Sequence, residues 1–251
     1  MTGMTAFRNT WTIFQREVGA YFLSPMAWIV IFLFLLINGI TFRAFCHVFA
    51  GEPRQITRIV ESVFGFSLFW VLPLSPILTM RLFAEEKRTG SMELLMTAPV
   101  TETQVVLGKF LAAQKFYFLV WLSLLPLFII LEVLGSVDWG PILSTYFGLF
   151  FLGVLTNSLG LFASALTRNQ LVAAILSLSG NLMFFFVALS TALFPADPAL
   201  KRFFHYVSFT AHFDTEYFSG IIDLRYMFFY LSFAALFLFF TVRVVEARKW
   251  R

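Results

Sequence analysis

The chain has 251 residues, of which 59% are hydrophobic and 13% charged, with a formal net charge of +4. Soluble domains average about 45–50% apolar and about 25% charged residues, so a water-soluble globule is excluded; thirty-five Phe need lipid rather than water around much of the surface. The basic residues are spread among apolar segments and form no soluble stripe, which points to lipid headgroups and away from nucleic acid, and the single cysteine, Cys46, excludes an intrachain disulfide.

From the N-terminus, Phe7, Trp11, Phe14, Val18, Tyr21 and Phe22 fall on one helical face, with Arg8, Asn9, Thr12, Gln15 and Arg16 elsewhere around the wheel. This predicts an amphipathic helix over residues 4–23 lying along the membrane surface until Ser24-Pro25 turns the chain inward. A signal peptide would have a shorter apolar region and a small-residue cleavage site, so the segment is expected to be retained.

Six charge-free windows follow: Val18 to Phe42, Ser62 to Met80, Phe116 to Leu131, Trp139 to Thr167, Asn169 to Ala196 and Tyr226 to Val242. A hydrocarbon core of about 30 Å takes roughly 20 helical residues, and six spans are expected. The third and sixth windows are short, with Lys109, Lys115, Arg225 and Arg243 at or near their ends and expected to snorkel to the interface. Pro73 and Pro76 are expected to kink the second span. An even number of spans puts both termini on one side; of the 18 Lys and Arg, twelve fall on that side and six on the other. By the positive-inside tendency the termini face the cytoplasm.

Between the second and third windows lies a charged island that starts at Arg81 and runs through Glu85-Glu86-Lys87-Arg88-Thr89-Gly90-Ser91-Met92-Glu93-Leu94-Leu95-Met96 to Pro99. Met92, Leu95 and Met96 stand at i, i+3 and i+4 and form one apolar stripe on a two-turn helix fenced by Gly90 and Pro99. Such a helix suits a groove on a soluble partner; an interfacial loop stabilised by headgroups fits the pattern equally. Thr101-Glu102-Thr103-Gln104 then reads as a capping box, with Val100 and Val105 as a hydrophobic staple.

Within the spans, Asn38, Gly39, Thr156, Asn157, Gly160, Ser164, Ser177 and Asn181 suit either a substrate path or close helix packing. The outer segment 195–225 is apolar yet charged, which predicts half-inserted or re-entrant helices capping the outer exit, with Phe204, Phe213, Gly220 and Asp223 as gate residues; an ordinary interfacial loop is the alternative.

The run from Phe83 to Pro99, followed by Gly108-Lys109-Phe110, resembles the signature of ABC-2 type transporter permeases, and most closely the branch associated with bacterial gliding motility. Ser24-Pro25, the stretch Leu161 to Gln170 and Gly220 to Arg225 extend the resemblance over nearly the whole chain. It implies one all-α transmembrane domain over residues 1–251 in the bacterial inner membrane, with residues 88–98 as a coupling helix seated on a separate cytoplasmic ATPase and Glu85 and Glu86 at the inner end of the second span. The N-terminal helix, through Phe7, Trp11, Phe14 and Val18, would brace that contact, and the second membrane half would be another copy or a larger related subunit. Ser91 stands where many relatives have Thr and keeps a helix-start hydroxyl.

The chain itself carries no phosphate-cradling loop: Gly108-Lys109 is followed by Phe110 and preceded at the fifth position by Thr103. Nor does any window contain an ionisable residue near its middle, where ion-coupled carriers keep theirs. Power supplied by a partner is the remaining simple option, and the resemblance implies ATP and Mg only in that partner, no cofactor in this chain, and an exporter or mechanically acting complex as the activity. His205, His212, Asp214 and Glu216 are the residues that a metal would use, but they lack the H-E-x-x-H spacing. A non-transporting membrane anchor and a self-contained channel are the rival readings; substrate-stimulated ATP hydrolysis separates the first, and conductance of the chain alone would mark the second.

Overall fold

A computed structural model of the chain describes residues 3–51, 55–92, 100–193 and 198–247, and every regular element among them is helical. Helix α1 (Gly3–Leu23) ends at Ser24, and α2 (Pro25–Val48) starts with proline at its first position, where the missing N–H has no partner to lose. Helix α3 (Gln55–Ser67), a 3-10 turn (Leu68–Trp70) and α4 (Val71–Thr89) form one long element, as do α5 (Glu102–Leu122) and α6 (Leu125–Leu134). Then come α7 (Trp139–Leu166), α8 (Gln170–Leu193), the short α9 (Pro198–Val207) and α10 (Phe209–Thr215), a 3-10 turn (Tyr217–Ser219) and α11 (Leu224–Glu246). Among the described residues, six stretches are long and apolar enough to cross a membrane: 25–48, 55–89, 102–134, 139–166, 170–187 and 224–246.

The third of these is 33 residues long, against the sixteen of its charge-free window, because α5 begins well before the last charge. Lys115 does reach outward, its ammonium 5.4 Å from the Phe14 ring centroid. Lys109 does not snorkel: its side chain is 1% exposed and is paired inside the protein.

The prolines act through the carbonyls they release. Pro73 would have bonded the carbonyl of Phe69, and Phe69 falls in the 3-10 turn that joins α3 to α4. Pro76 lies inside α4 and frees the carbonyl of Leu72, which accepts from Asn181 Nδ2 of α8 at 3.5 Å. A polar residue within a span is thereby tied to a backbone defect in its neighbour.

Helix α7 is the central element: 72% of its apolar window is buried, against 17% for α2. It packs against α4, α5, α8 and α11. At Gly160 a Cβ would lie 2.2 Å from Thr79 Oγ1 and 2.8 Å from Ser177 Oγ, so only glycine lets α4, α7 and α8 meet there. Gln114 of α5 accepts from Asn157 at 2.9 Å and donates to the carbonyl of Phe150, and Ser67 donates to Asn38. Of the polar span residues, Asn38, Thr156, Asn157, Ser164, Ser177 and Asn181 are buried between helices.

Helix α1 has two faces. Phe7 and Trp11 are exposed, and the Phe7, Trp11 and Phe14 rings stack in succession. Ile13 and Tyr21 are buried against the bundle, and Gly108 of α5 allows the approach, since a Cβ there would sit 2.8 Å from Ile13 Cγ2. Tyr21, which the wheel placed on the membrane face, is instead 2% exposed, donates to the carbonyl of Leu78 at 2.7 Å and stacks on Phe116. Thr10, Ile13 and Glu17 of the neighbouring stripe also meet α5, and the bond to Leu78 satisfies the buried Tyr21 hydroxyl.

Candidate functional site: the inner end of the second span

Helix α4 stops at Gly90, whose φ of +75° is the left-handed cap that closes a helix without a Cβ penalty. The chain is helical again at Ser91 and Met92. Glu93, Leu94, Leu95, Met96 and Pro99 lie outside the described residues. Beyond them the capping box is formed: Thr101 Oγ1 accepts from the backbone N–H of Gln104, and the Gln104 side chain accepts from that of Thr101.

The two adjacent glutamates of the island turn to opposite sides. Glu86 Oε1 accepts from Lys109 Nζ of α5 at 2.7 Å and from Arg16 Nη2 of α1 at 3.3 Å. Lys109 also donates to Glu17 Oε1 of α1 at 2.9 Å, and Arg16 closes the circuit to Glu17 at 2.7 Å. Lys109 therefore has two carboxylates around one buried ammonium, an arrangement stable only while all members are present. Burial opposes ionisation of Glu17, but Lys109 and Arg16 outweigh it and hold the carboxyl below its ordinary value.

On the other side Glu85 pairs with Arg88 at 2.7 Å, one turn along α4, and accepts from Gln170, the first residue of α8. Buried Lys87 donates to the carbonyl of Ala165 in α7. The Ser164 hydroxyl accepts from the backbone N–H groups of Phe83 and Ala84, both at 3.1 Å, and donates to the carbonyl of Met80. The last three turns of α4 are thus tied by charge to α1 and α5, and by hydrogen bonds to α7 and α8.

The structure places the sequence-predicted residues unevenly. Glu85 and Glu86 are in the network; Arg88, Thr89, Gly90 and Ser91 are exposed on its rim. Met92, expected in the outward apolar stripe, is 7% exposed and belongs to this chain's own core. It turns inward because a flexible apolar side chain next to the bundle gains more by burial than by facing water. Phe14 and Val18 pack partly against the core, whereas Phe7 and Trp11 stay exposed. Glu17 and Lys109 were not singled out from the sequence as partners. Their signal was that Glu17 is the one acidic residue in an otherwise basic N-terminal helix, and that Lys109 sits on the buried face of α5 beside the small Gly108.

The opposite end of the bundle, the outer one in the orientation that the sequence predicts, is built differently. Here α9 and α10 pack on α8, and the following 3-10 turn packs on α7. Phe209, Phe213 and Tyr217 are fully buried, and the hydroxyls of Ser144 and Thr145 both donate to the carbonyl of Tyr217. His212 is stacked on Tyr226 with centroids 3.7 Å apart. Its Nε2 lies 3.0 Å from the carbonyl of Tyr206, which can only accept, so Nε2 carries the proton and Nδ1 accepts from Tyr230 at 2.8 Å. Burial pushes its pKa down to about 4, against the weaker opposing pull of the Tyr206 carbonyl. Both nitrogens being engaged, His212 is a neutral structural strut; among the described residues no three His, Cys, Asp or Glu side chains come together. Of the four expected gate residues only Phe213 is buried; Phe204 is half-buried, Gly220 holds a φ of +82° after the 3-10 turn, and Asp223 caps α11 and pairs with Arg225.

Comparison with known proteins agrees with this architecture. The "Probable multidrug ABC transporter permease YbhS" of Escherichia coli K12 is 33% identical over 139 residues, which cover 53% of this chain and 35% of that protein. The protein of the same description from Escherichia coli O157:H7 gives the same identity and coverage. The matched stretch is thus little more than a third of the relatives' length. A family model described as "ABC-2 family transporter protein" matches residues 11–245, nearly the whole of the six-span bundle, and the chain belongs to that family of multi-pass membrane proteins.

Proposed function

We propose that this chain is the permease subunit of an exporter in the bacterial inner membrane, driven by a separate cytoplasmic ATPase that alone binds ATP and Mg. The whole of residues 1–251 acts as one transmembrane domain with both termini in the cytoplasm, paired with a second copy or a larger related subunit. The coupling element begins after the Gly90 break, and it enters a cleft of the ATPase through Leu95 and Met96, with α1 bracing the contact. The outer helices α9 and α10 re-enter the membrane and close the exit. The resemblance of the island to the gliding-motility branch belongs to this reading, and a multidrug cargo is what the name of the Escherichia coli relatives supports.

The observation that carries the proposal is the position of the charge network. Glu86 stands four residues before Gly90 and is joined through Lys109 and Arg16 to α1 and α5. A helix end gripped on several sides transmits a push, whereas a simple interfacial loop needs no such anchorage. Replacing Leu95 and Met96 together by Asp tests the reading. Membrane insertion is expected to persist while copurification of the ATPase in mild detergent is lost; retained copurification would contradict it.

A further inference from the structure

At the corner where α1 turns into α2, an arginine with no acid partner among the described residues stands over an apolar cavity. Arg81 is the first charged residue after the run Ser62 to Met80. At about 1.5 Å per residue that run is roughly as long as the hydrocarbon core is thick, so Arg81 emerges at headgroup level. Trp28 marks the same level from α2, its indole N–H donating to the carbonyl of Phe22 at 3.0 Å.

The guanidinium lies 4.6 Å from the Tyr21 ring centroid, within reach of the Tyr21 hydroxyl, and donates to Ser24 Oγ at 3.3 Å. Among the described residues no carboxylate approaches within 4 Å of it; Glu85, one turn away, is taken by Arg88 and Gln170. A guanidinium has five N–H donors in a fork that fits a phosphate, and most of these are unspent. Beneath it is a cavity of about 230 Å³ walled by Met26, Ala27, Val30, Ile77 and Leu78, with Gln170 at its edge. Met26, which lines it, is 42% exposed, and Ile29 and Leu33, three and seven residues further along α2, are exposed as well.

We propose that this corner binds one anionic phospholipid of the surrounding leaflet, with the phosphate on Arg81 and an acyl chain in the cavity. Free phosphate would leave the apolar walls unfilled, and a zwitterionic headgroup would bring its own cation next to the guanidinium. The site depends on the chain residing in a bilayer and not on which partner drives it.

The test uses the full chain, delipidated in mild detergent and titrated with phosphatidylglycerol or phosphatidylcholine, read by native mass spectrometry and thermal unfolding. One phosphatidylglycerol per chain is expected to survive conditions that strip phosphatidylcholine, and to raise the unfolding temperature where inorganic phosphate does not. Arg81→Gln is expected to weaken phosphatidylglycerol retention roughly tenfold or more, the usual worth of a charge-assisted contact. Met26→Trp, at an exposed position, leaves the charge in place and plugs the cavity mouth, and is expected to lose the lipid as well; Arg81→Lys retains part of it. Equal retention of the two lipids, unchanged phosphatidylglycerol binding in either Arg81→Gln or Met26→Trp, or equal protection by inorganic phosphate alone would each overturn the proposal.

Discussion

The two ends of the bundle are held by opposite kinds of chemistry. At the inner end, a buried ammonium, two carboxylates and a guanidinium join α1, α4 and α5. At the outer end, stacked rings, a neutral histidine and hydroxyl-to-carbonyl bonds hold α10 and the turn after it to α7 and α11. An ionic joint tolerates no missing member but resists changes in packing; an aromatic joint behaves the other way. On the proposed function, the ionic joint would take force from the ATPase and the aromatic joint would open and reseal.

The largest expected effect is at Lys109. Lys109→Met leaves Glu17 and Glu86 to share the half-exposed Arg16 as their cation and should cost up to about 3–5 kcal/mol, read as a loss of thermal stability in detergent. Adding Glu17→Gln and Glu86→Gln to that variant should restore most of it, because neutral groups of similar shape need no counter-charge. If the single change is harmless, the inner end is not held by charge. The packing counterpart is Gly148→Ala, whose Cβ would lie 2.8 Å from the Tyr217 ring. It should cost about 1–3 kcal/mol and raise amide exchange of residues 209–219, leaving the inner end unchanged.

A pH series should then separate the ends. His212 has a folded pKa of about 4 against an ordinary value of about 6.5, so between these values the unfolded chain binds more protons and stability falls as pH falls. Glu17 is held below its ordinary value, so its contribution is intact at neutral pH and is lost only as pH falls through that lowered value. Exchange protection at the outer helices should therefore fall from about pH 6.5 downward while that at the inner end holds, and His212→Asn should flatten the outer response. Smallest is Arg243→Ala: its pair with Glu246 is exposed, and surface pairs contribute about 0–1 kcal/mol, so no shift should exceed measurement error.

Much of the fold was legible because lipid imposes it. Charge-free runs located six spans, Gly90 ended α4, and Thr101 with Gln104 opened α5 as their residue types require. The inner site was legible only by half. Glu85 and Glu86 stood out as adjacent charges beside an apolar run, but Glu17 and Lys109 are 92 residues apart, and nothing local ties them together. Lys109 in particular resembles a snorkelling span terminus in sequence, and only the position of α1 against Gly108 makes it internal. Met92 shows the converse limit: its helical spacing matches a docking stripe, and nothing in that spacing indicates that it is buried next to the bundle. Pairings between helices depend on registration, which hydrophobic periodicity does not specify.

The account stands most directly on which end of the bundle faces the cell interior. Ser91, exposed at the inner end, and Ser219, exposed at the outer end, can each be replaced by Cys in a background where the single native cysteine is changed by Cys46→Ser. With a membrane-impermeant maleimide on intact spheroplasts, Ser219→Cys should label at once and Ser91→Cys only after the membrane is permeabilised. Immediate labelling of Ser91→Cys would put the charge network on the wrong side to receive force from a cytoplasmic ATPase.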